Sequence, residues 1–417
     1  MNPSGALRAL TRSKPAIAAV TTVVAVGLVA TACSSSGGGN SGGGSSGAAS
    51  TQPIKVTAIG IFDSAELSLP DAEAALKAHV QQINDSGGIK GRKIDLSVCN
   101  DKFDPNSAAD CARQAVSNKS VAVVSPYEPF SPQVNPVLEA AKIPEVFNEV
   151  ASDSDATSPV SFPADAGVQG IYISLGVEMA KAGCKKVGAV VTSNANTELG
   201  SDWLKKGVES QGASYVSTAV GESQADFNAP VAKLLSQGAD CIVPTTAPDQ
   251  GPKVITAAQQ SGKKVTFGAV SSEFGTDALQ TLGSAVNGMI LTDQIYRPTD
   301  TEVPAVAEIV AGMKKYAPSV PLSTKFGVGG WADITALQQV LNSIDGAITA
   351  QSVFDAVKNY CPKTGLTAEY CYSDPAPDSA LPRVKDWNYL VWKVADGKST
   401  LVSPDFQKLP ADALGKS

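Results

Sequence analysis

The run Ile83-Asn84-Asp85-Ser86-Gly87-Gly88-Ile89-Lys90-Gly91-Arg92-Lys93-Ile94-Asp95-Leu96 joins two periodicities. Upstream, Asp71 to Asn84 carries apolar Ala74, Ala75, Ala78 and Ile83 in a helical pattern. Downstream, Lys93 to Cys99 is rich in residues that favour strands. Asn84 ends the helix, and the glycines supply the positive φ angles of a tight reversal. With the strand-like Lys55 to Ile61 ahead of it, the run completes a β-α-β unit.

The same alternation continues outward. Strand patterns recur at Val121 to Ser125, Lys186 to Thr192, Ser214 to Val220, Cys241 to Pro244, Thr266 to Val270 and Gly288 to Asp293. Between them lie helix-length segments that stop at glycines: Leu204 to Gln211, Phe227 to Gln237 and Pro252 to Ser261. Repeated β-α-β units imply parallel sheets covered on both faces, with ligands at the carboxyl ends of the strands. The last third reads as helices at Pro304 to Tyr316, Gly330 to Ile344 and Gln351 to Lys358. A hairpin follows from Asn388 to Val402, turning at Asp396-Gly397. The roughly 350 residues from Ile54 to Phe406 exceed what one core usually organises, so two domains are expected.

The chain has one histidine, His79, on the Asp71 to Asn84 helix, where a surface position is expected. A Ser/His/Asp or Cys/His mechanism would need that residue as its base. The folded body carries no G-x-S-x-G elbow, H-E-x-x-H, P-loop or G-x-G-x-x-G, and nothing in it calls for a cofactor. No C-x-x-C occurs, which argues against a metal site. These observations together point away from an enzyme.

The N-terminus reads as an export signal. Arg8, Arg12 and Lys14 precede the apolar stretch Ala16 to Ala30, and the small residues Ala30-Thr31-Ala32 lead into Cys33. That layout favours residues 1–32 as a lipoprotein signal peptide and Cys33 as the lipidation site, over an ordinary cleaved secretory signal or a single transmembrane anchor. Two acyl chains added there would hold the protein on a membrane. Ser34 to Ser50 is almost wholly Gly, Ser and Ala, so residues 33–53 read as the lipidated cysteine and a flexible tether. Three of the 33 Lys and Arg precede Cys33, leaving 30 against 40 acids and a formal charge of about −10, a surface that disfavours nucleic acid. No later apolar run is long enough to span a bilayer.

An oxidising compartment invites the six other cysteines to pair. Fifteen connectivities exist, and buried free thiols remain an alternative for each pair. Local geometry favours Cys99 with Cys111, Cys184 with Cys241 and Cys361 with Cys371. Cys99 ends a strand, and the helix opened by Asp104-Pro105 carries Cys111 two turns in. Cys184 and Cys241 precede strands that can be neighbours.

The opening run also resembles the N-x-x-G-G-I-x-G-[RK]-x-I-x-L signature of the solute-binding proteins of branched-chain amino-acid-type ABC importers, type I periplasmic binding proteins in lipoprotein form. Asp101 to Asn106 is similar to that family's acidic loop, and Val121 to Pro126 to its strand ending in Gly-Pro. Ile143-Pro144, Ala225-Asp226-Phe227 and Gly238 to Val243 are similar to later landmarks. The resemblance implies an α/β fold of two doubly wound parallel-sheet lobes joined by a three-crossing hinge. Residues 54–168 and 296–386 would form the N-lobe, 169–295 and 387–405 the C-lobe, and 406–417 a tail. A monomer is expected.

The resemblance further implies ligand contacts in the loops at the strand ends. Ser64, Glu66 and Ser68 follow the first strand; Tyr127 and Glu128 follow the third; Asn148, Glu149 and Val150 come next. In the C-lobe the corresponding positions are Asn196, Ala247 and Glu273. Amino-acid-binding members hold a carboxylate with hydroxyls, whereas this chain offers Glu128 and Glu149. Their aromatic residues align with Leu199 and Ala247 here. Glu273 stands where an acid pairs with the ligand's ammonium. The expected function is capture of a small amino acid, amide or related nitrogenous solute for delivery to an importer permease from the outer face of the cell membrane. A ligand-sensing module that signals occupancy to a membrane partner is the alternative.

Overall fold

The computed structural model describes residues 52–414 except Pro248, and of Ala195 and Asn196 only the backbone. Cys33, the signal segment and most of the tether therefore lie outside the described residues. Five parallel strands form the first sheet: β1 (Ile54–Gly60), β2 (Ile94–Asn100), β3 (Ala122–Val124), β4 (Glu145–Val146) and β5 (Ser161–Phe162), in the order β2-β1-β3-β4-β5. The second contains β6 (Lys186–Thr192), β7 (Ser214–Val220), β8 (Cys241–Thr245), β9 (Thr266–Val270), β10 (Ile290–Asp293), β11 (Asn388–Ala395), β12 (Lys398–Leu401) and β13 (Gln407–Lys408). Its order is β12-β11-β10-β9-β8-β6-β7, with β13 on β11, and only the pairings of β11, with β10, β12 and β13, are antiparallel.

The central strands of both sheets are buried on both faces, which explains the near-continuous apolar runs of β1, β6 and β8. Successive side chains divide between cores. Val56 and Ala58 pack with Ala72 and Leu76 of the helix Pro70–Asp85, whereas Ile59 packs with Ala108 and Ala112 of the helix Pro105–Ser117. In the second sheet Val190 faces one core while Val187, Ala189 and Val191 face another. The helices Pro304–Tyr316 and Lys325–Ser343 follow β10 in sequence but pack on Pro70–Asp85 beside the first sheet. The chain then returns to the second sheet at β11, so it passes between the sheets three times.

The reversal after the first helix is built by its polar and glycine residues. The Asn84 amide exchanges two hydrogen bonds with Ile94, donating to its carbonyl at 2.9 Å and accepting from its N–H at 2.8 Å. Gly88 has φ +73°, and a Cβ there would lie 2.2 Å from the Arg92 carbonyl oxygen.

The helix Lys325–Ser343 begins five residues before the sequence pattern places it. Gly327, Gly329 and Gly330 look like breakers, but two of them are contact positions. A Cβ on Gly327 would sit 2.9 Å from Asp71 Oδ2, and one on Gly330 2.9 Å from the Ala72 carbonyl. The Asp71 carboxylate reaches across from its own helix to accept from the N–H groups of Ser323 and Thr324 at 2.9 and 2.7 Å. Thr324 then caps the helix by accepting from Gly327 N–H. His79, expected at a helix surface, is instead buried between these two helices at 6% exposure. The two-residue strands β4 and β5 were too short to leave a periodicity.

Three disulfides join Cys99 to Cys111, Cys184 to Cys241 and Cys361 to Cys371, with Cα–Cα distances of 5.6, 5.8 and 4.0 Å. Register explains the second: Val187 of β6 pairs with Cys241 of β8, which brings Cys184 alongside. Among the described residues, no helix is long and apolar enough to cross a membrane.

Candidate functional site

Loops at the carboxyl ends of the strands converge on a cavity of about 200 Å³. Both sheets contribute to it. From the first come Tyr127, after β3, and Glu149, after β4; from the second come Val270 at the end of β9 and Ser272 and Glu273 in the turn that follows. Tyr172, on the helix Gly167–Lys181, and Lys325 and Phe326, at the start of Lys325–Ser343, also line it, and Val168, Ile171, Thr197 and Thr246 complete the wall. The aromatic surface comes from Tyr127, whose ring lies 4.9 Å from Phe326, and from Tyr172.

Glu273 is held by one bond. Tyr172 OH donates to its Oε1 at 2.8 Å, while Oε2 is buried with no partner. Burial pushes the carboxyl up to about 8, tempered by the tyrosine. Once ionised, an acid with one unused oxygen accepts from a donor-bearing ligand group.

Lys325 forms the second polar feature. Its Nζ lies 3.0 Å from Glu149 Oε1 and 3.2 Å from Asp293 Oδ1, with all three side chains largely dry. Burial alone would depress the ammonium, but Asp293, Glu149 and Asp165 hold it above its ordinary range. Burial raises Glu149, and the lysine opposes that rise. Asp293 also accepts from Ser271 Oγ and from Gln294 N–H, so its oxygens are occupied.

The other positions expected to touch ligand sit differently. Ser64 bonds Leu67 and Ser68 bonds the Phe62 carbonyl within their own loop, and Glu66 is exposed. Glu128 turns away from the cavity to face Asp101 and accepts from Phe130 N–H at 2.7 Å; burial, then that neighbouring acid, raises its carboxyl. Asn148 is buried on Ser161, at 3.1 Å. Val150 is packed in the core of the second sheet. Ala247 N–H donates to Thr192 Oγ1 at 3.3 Å and its side chain does not line the cavity. The side chain of Asn196 lies outside the described set, and Leu199 is 45% exposed. Of the expected contacts, Tyr127, Glu149 and Glu273 are brought together.

Lys325, Phe326 and Tyr172 escaped the sequence reading. Lys325 and Phe326 fall in a turn of helix hidden by glycines, and Tyr172 lies in a helix that is apolar on nearly every face. The Thr324 cap three residues before Gly327 was the available signal. A wider hollow of about 770 Å³ surrounds the Cys361–Cys371 bridge, lined by Lys363, Glu369 and Asp374 among others, and contains no residue from the strand ends. Among the described residues, no cluster of three or more His, Cys, Asp or Glu could hold a metal ion.

Solved structures share this architecture at low sequence identity. A substrate-binding periplasmic protein from Ralstonia solanacearum is 17% identical with TM-score 0.68, over 84% of this chain and 99% of that one. A fatty acid ABC transporter substrate-binding protein from Thermomonospora curvata is 16% identical with TM-score 0.70, over 87% and 94%. A branched chain amino acid ABC transporter from Thermus thermophilus with bound valine is 15% identical with TM-score 0.71, over 88% and 98%. No curated protein matches the chain. The model of the periplasmic binding protein family matches residues 58–377, which is most of the folded body. The chain therefore belongs to the periplasmic binding protein family, whose members bind solutes and are not enzymes.

Proposed function

We propose that this protein is a lipid-anchored, extracytoplasmic solute-binding protein that captures a small amine or amide between two lobes and delivers it to an ABC importer. The observation that carries the ligand class is Glu273: its Oε2 is buried in the cavity wall without a partner. In the carboxylate form that oxygen is satisfied by a hydrogen-bond donor, which is the form a cationic or N–H group selects. Lys325, the cation in the same wall, is already held by Glu149 and Asp293, so a ligand carboxylate meets more acid than base. Neighbours bearing valine or named for fatty acids indicate that the scaffold itself does not restrict the ligand. The lobes are residues 54–168 with 296–386 and 169–295 with 387–405, and they close by rigid-body motion about the three passages. Lipidation at Cys33 keeps the body near the permease.

A thermal-shift screen of the protein against amines, amides, branched-chain amino acids and fatty acids tests the reading. A ligand at 100 times its dissociation constant adds about 2.7 kcal/mol of stability. Amines or amides should raise the melting temperature; stabilisation only by valine-like amino acids or fatty acids would replace this ligand class. Cys33→Ala should abolish partitioning into the detergent phase, and unchanged partitioning would remove the anchor from the proposal.

A further inference from the structure

The lysine in the cleft is bracketed by acids from both sheets. Glu149 follows β4 of the first sheet and Asp293 closes β10 of the second, and Lys325 Nζ lies 3.0 and 3.2 Å from their carboxylates. The three side chains are 6%, 12% and 1% exposed, in the order Lys325, Glu149, Asp293. Two nearly dry carboxylates strongly favour a cation, because a buried charge left unpaired costs far more than the pair gains. The chain supplies that cation itself.

The same ammonium lines the cavity that Glu273 lines. The cavity thus has two acidic poles. One, Glu273, has an oxygen without a partner. The other, Glu149 in the wall with Asp293 behind it, is filled by a group tethered to the helix Lys325–Ser343. A tethered ammonium competes as though present at a high local concentration, so a free cation of ordinary abundance does not displace it.

We propose that Lys325 is the specificity-determining residue of the cleft: its ammonium occupies the Glu149–Asp293 pole, excludes a second cationic group, and restricts the site to solutes with a single donor-bearing end. This rests on reading Glu273 as the acceptor for that end. Loss of the lysine's charge converts the cleft into a receptor for diamines, one ammonium at each pole.

Calorimetry on the purified full-length protein with n-butylamine, 1,3-diaminopropane, 1,4-diaminobutane and 1,5-diaminopentane tests this. The parent should prefer no diamine over n-butylamine by more than about threefold. Lys325→Met should bind at least one diamine roughly tenfold to 150-fold more tightly than n-butylamine, the range of one charge-assisted hydrogen bond. If that variant does not fold, Lys325→Met with Asp293→Asn leaves Glu149, which lines the cavity, as the lone acid, and the same preference should appear. A diamine preference below about threefold in the folded variant, or one equal to it in the parent, overturns the assignment. Glu273 is read out separately. Adding Glu273→Gln should return diamine affinity to the n-butylamine level; a gain that survives it removes Glu273 as the second pole and leaves the role of Lys325 standing.

Discussion

His79 stacks face to face on Trp331, with ring centroids 4.2 Å apart and planes 11° from parallel. Its Nδ1 donates to the main-chain carbonyl of Trp331 at 3.0 Å, which ties the helix Pro70–Asp85 to Lys325–Ser343. The Trp331 indole in turn fills the space over Gly312, where a Cβ would lie 2.0 Å from the ring. One stacked pair therefore locks the helix whose first turn carries Lys325.

Burial lowers the His79 imidazole to about 4, against the bond to Trp331, which raises it. The unfolded chain binds the proton near pH 6.5, so between about pH 6.5 and 4 the unfolded state holds more protons and stability falls as pH falls. The full effect is about 3 kcal/mol, from roughly 1.36 kcal/mol per pKa unit. His79→Phe keeps the stack and does not titrate, and Thr335 Oγ1 still satisfies the Trp331 carbonyl at 3.1 Å. Urea unfolding of parent and variant at pH 7 and pH 4 should show the parent losing about 3 kcal/mol more. Equal losses would mean that His79 is charged in the folded state.

Two glycines on helices should respond oppositely to alanine. Gly207 lies in the helix Ala195–Ser210 where it crosses Gly167–Lys181, and a Cβ there would sit 2.1 Å from the Ile173 carbonyl oxygen. Gly207→Ala forces the two helices apart and should cost about 1–3 kcal/mol. Gly329 has helical backbone and nothing within 4 Å of its Cβ position, so Gly329→Ala should stabilise by about 0.5–1 kcal/mol. Denaturant midpoints decide both. A tolerated Gly207→Ala would mean that the helix contact is loose.

The disulfides should differ in worth by the length of chain they close. Cys184–Cys241 spans 57 positions, against 12 for Cys99–Cys111 and 10 for Cys361–Cys371. Chain entropy then assigns about 4 kcal/mol to the first and about 3 kcal/mol to each of the others. Paired replacement by alanine, followed by unfolding in denaturant, should rank them in that order. A larger loss from Cys361–Cys371 would show that its loop is ordered by the bridge itself.

How much of this was legible in the sequence depends on the length over which a pattern persists. Strands such as Lys186–Thr192 and Thr266–Val270 and the helix Pro304–Tyr316 coincide with their apolar runs because seven, five and thirteen residues give a period to read. The strand Glu145–Val146 gives none. The site was legible only in part, through its acids: Glu149 and Glu273 stand at strand ends, and so does Glu128, but pleat and turn geometry aim Glu128 at Asp101. Lys325 was hidden because the glycines that let its helix approach Pro70–Asp85 are, in sequence, the same residues that end helices. His79 was misplaced because its partner Trp331 is 252 positions away.

Glu273 should make ligand affinity depend on pH. Burial holds its carboxyl near 8, so at neutral pH the empty cleft contains mostly the protonated acid, and accepting a cationic or N–H donor group requires the carboxylate. Binding then releases a proton. Affinity should rise as pH rises from about 6, by up to tenfold per unit, and level off above about 8, where the proton has already left. Glu273→Gln keeps the bond from Tyr172 but removes the titration. It should weaken binding roughly tenfold to 150-fold at pH 8 and flatten the profile between pH 6 and 8. Calorimetry across that range, in two buffers of different ionisation enthalpy, measures the released proton directly. An affinity within twofold of the parent at pH 8, or a slope that survives the substitution, would place the ligand's donor elsewhere in the cleft.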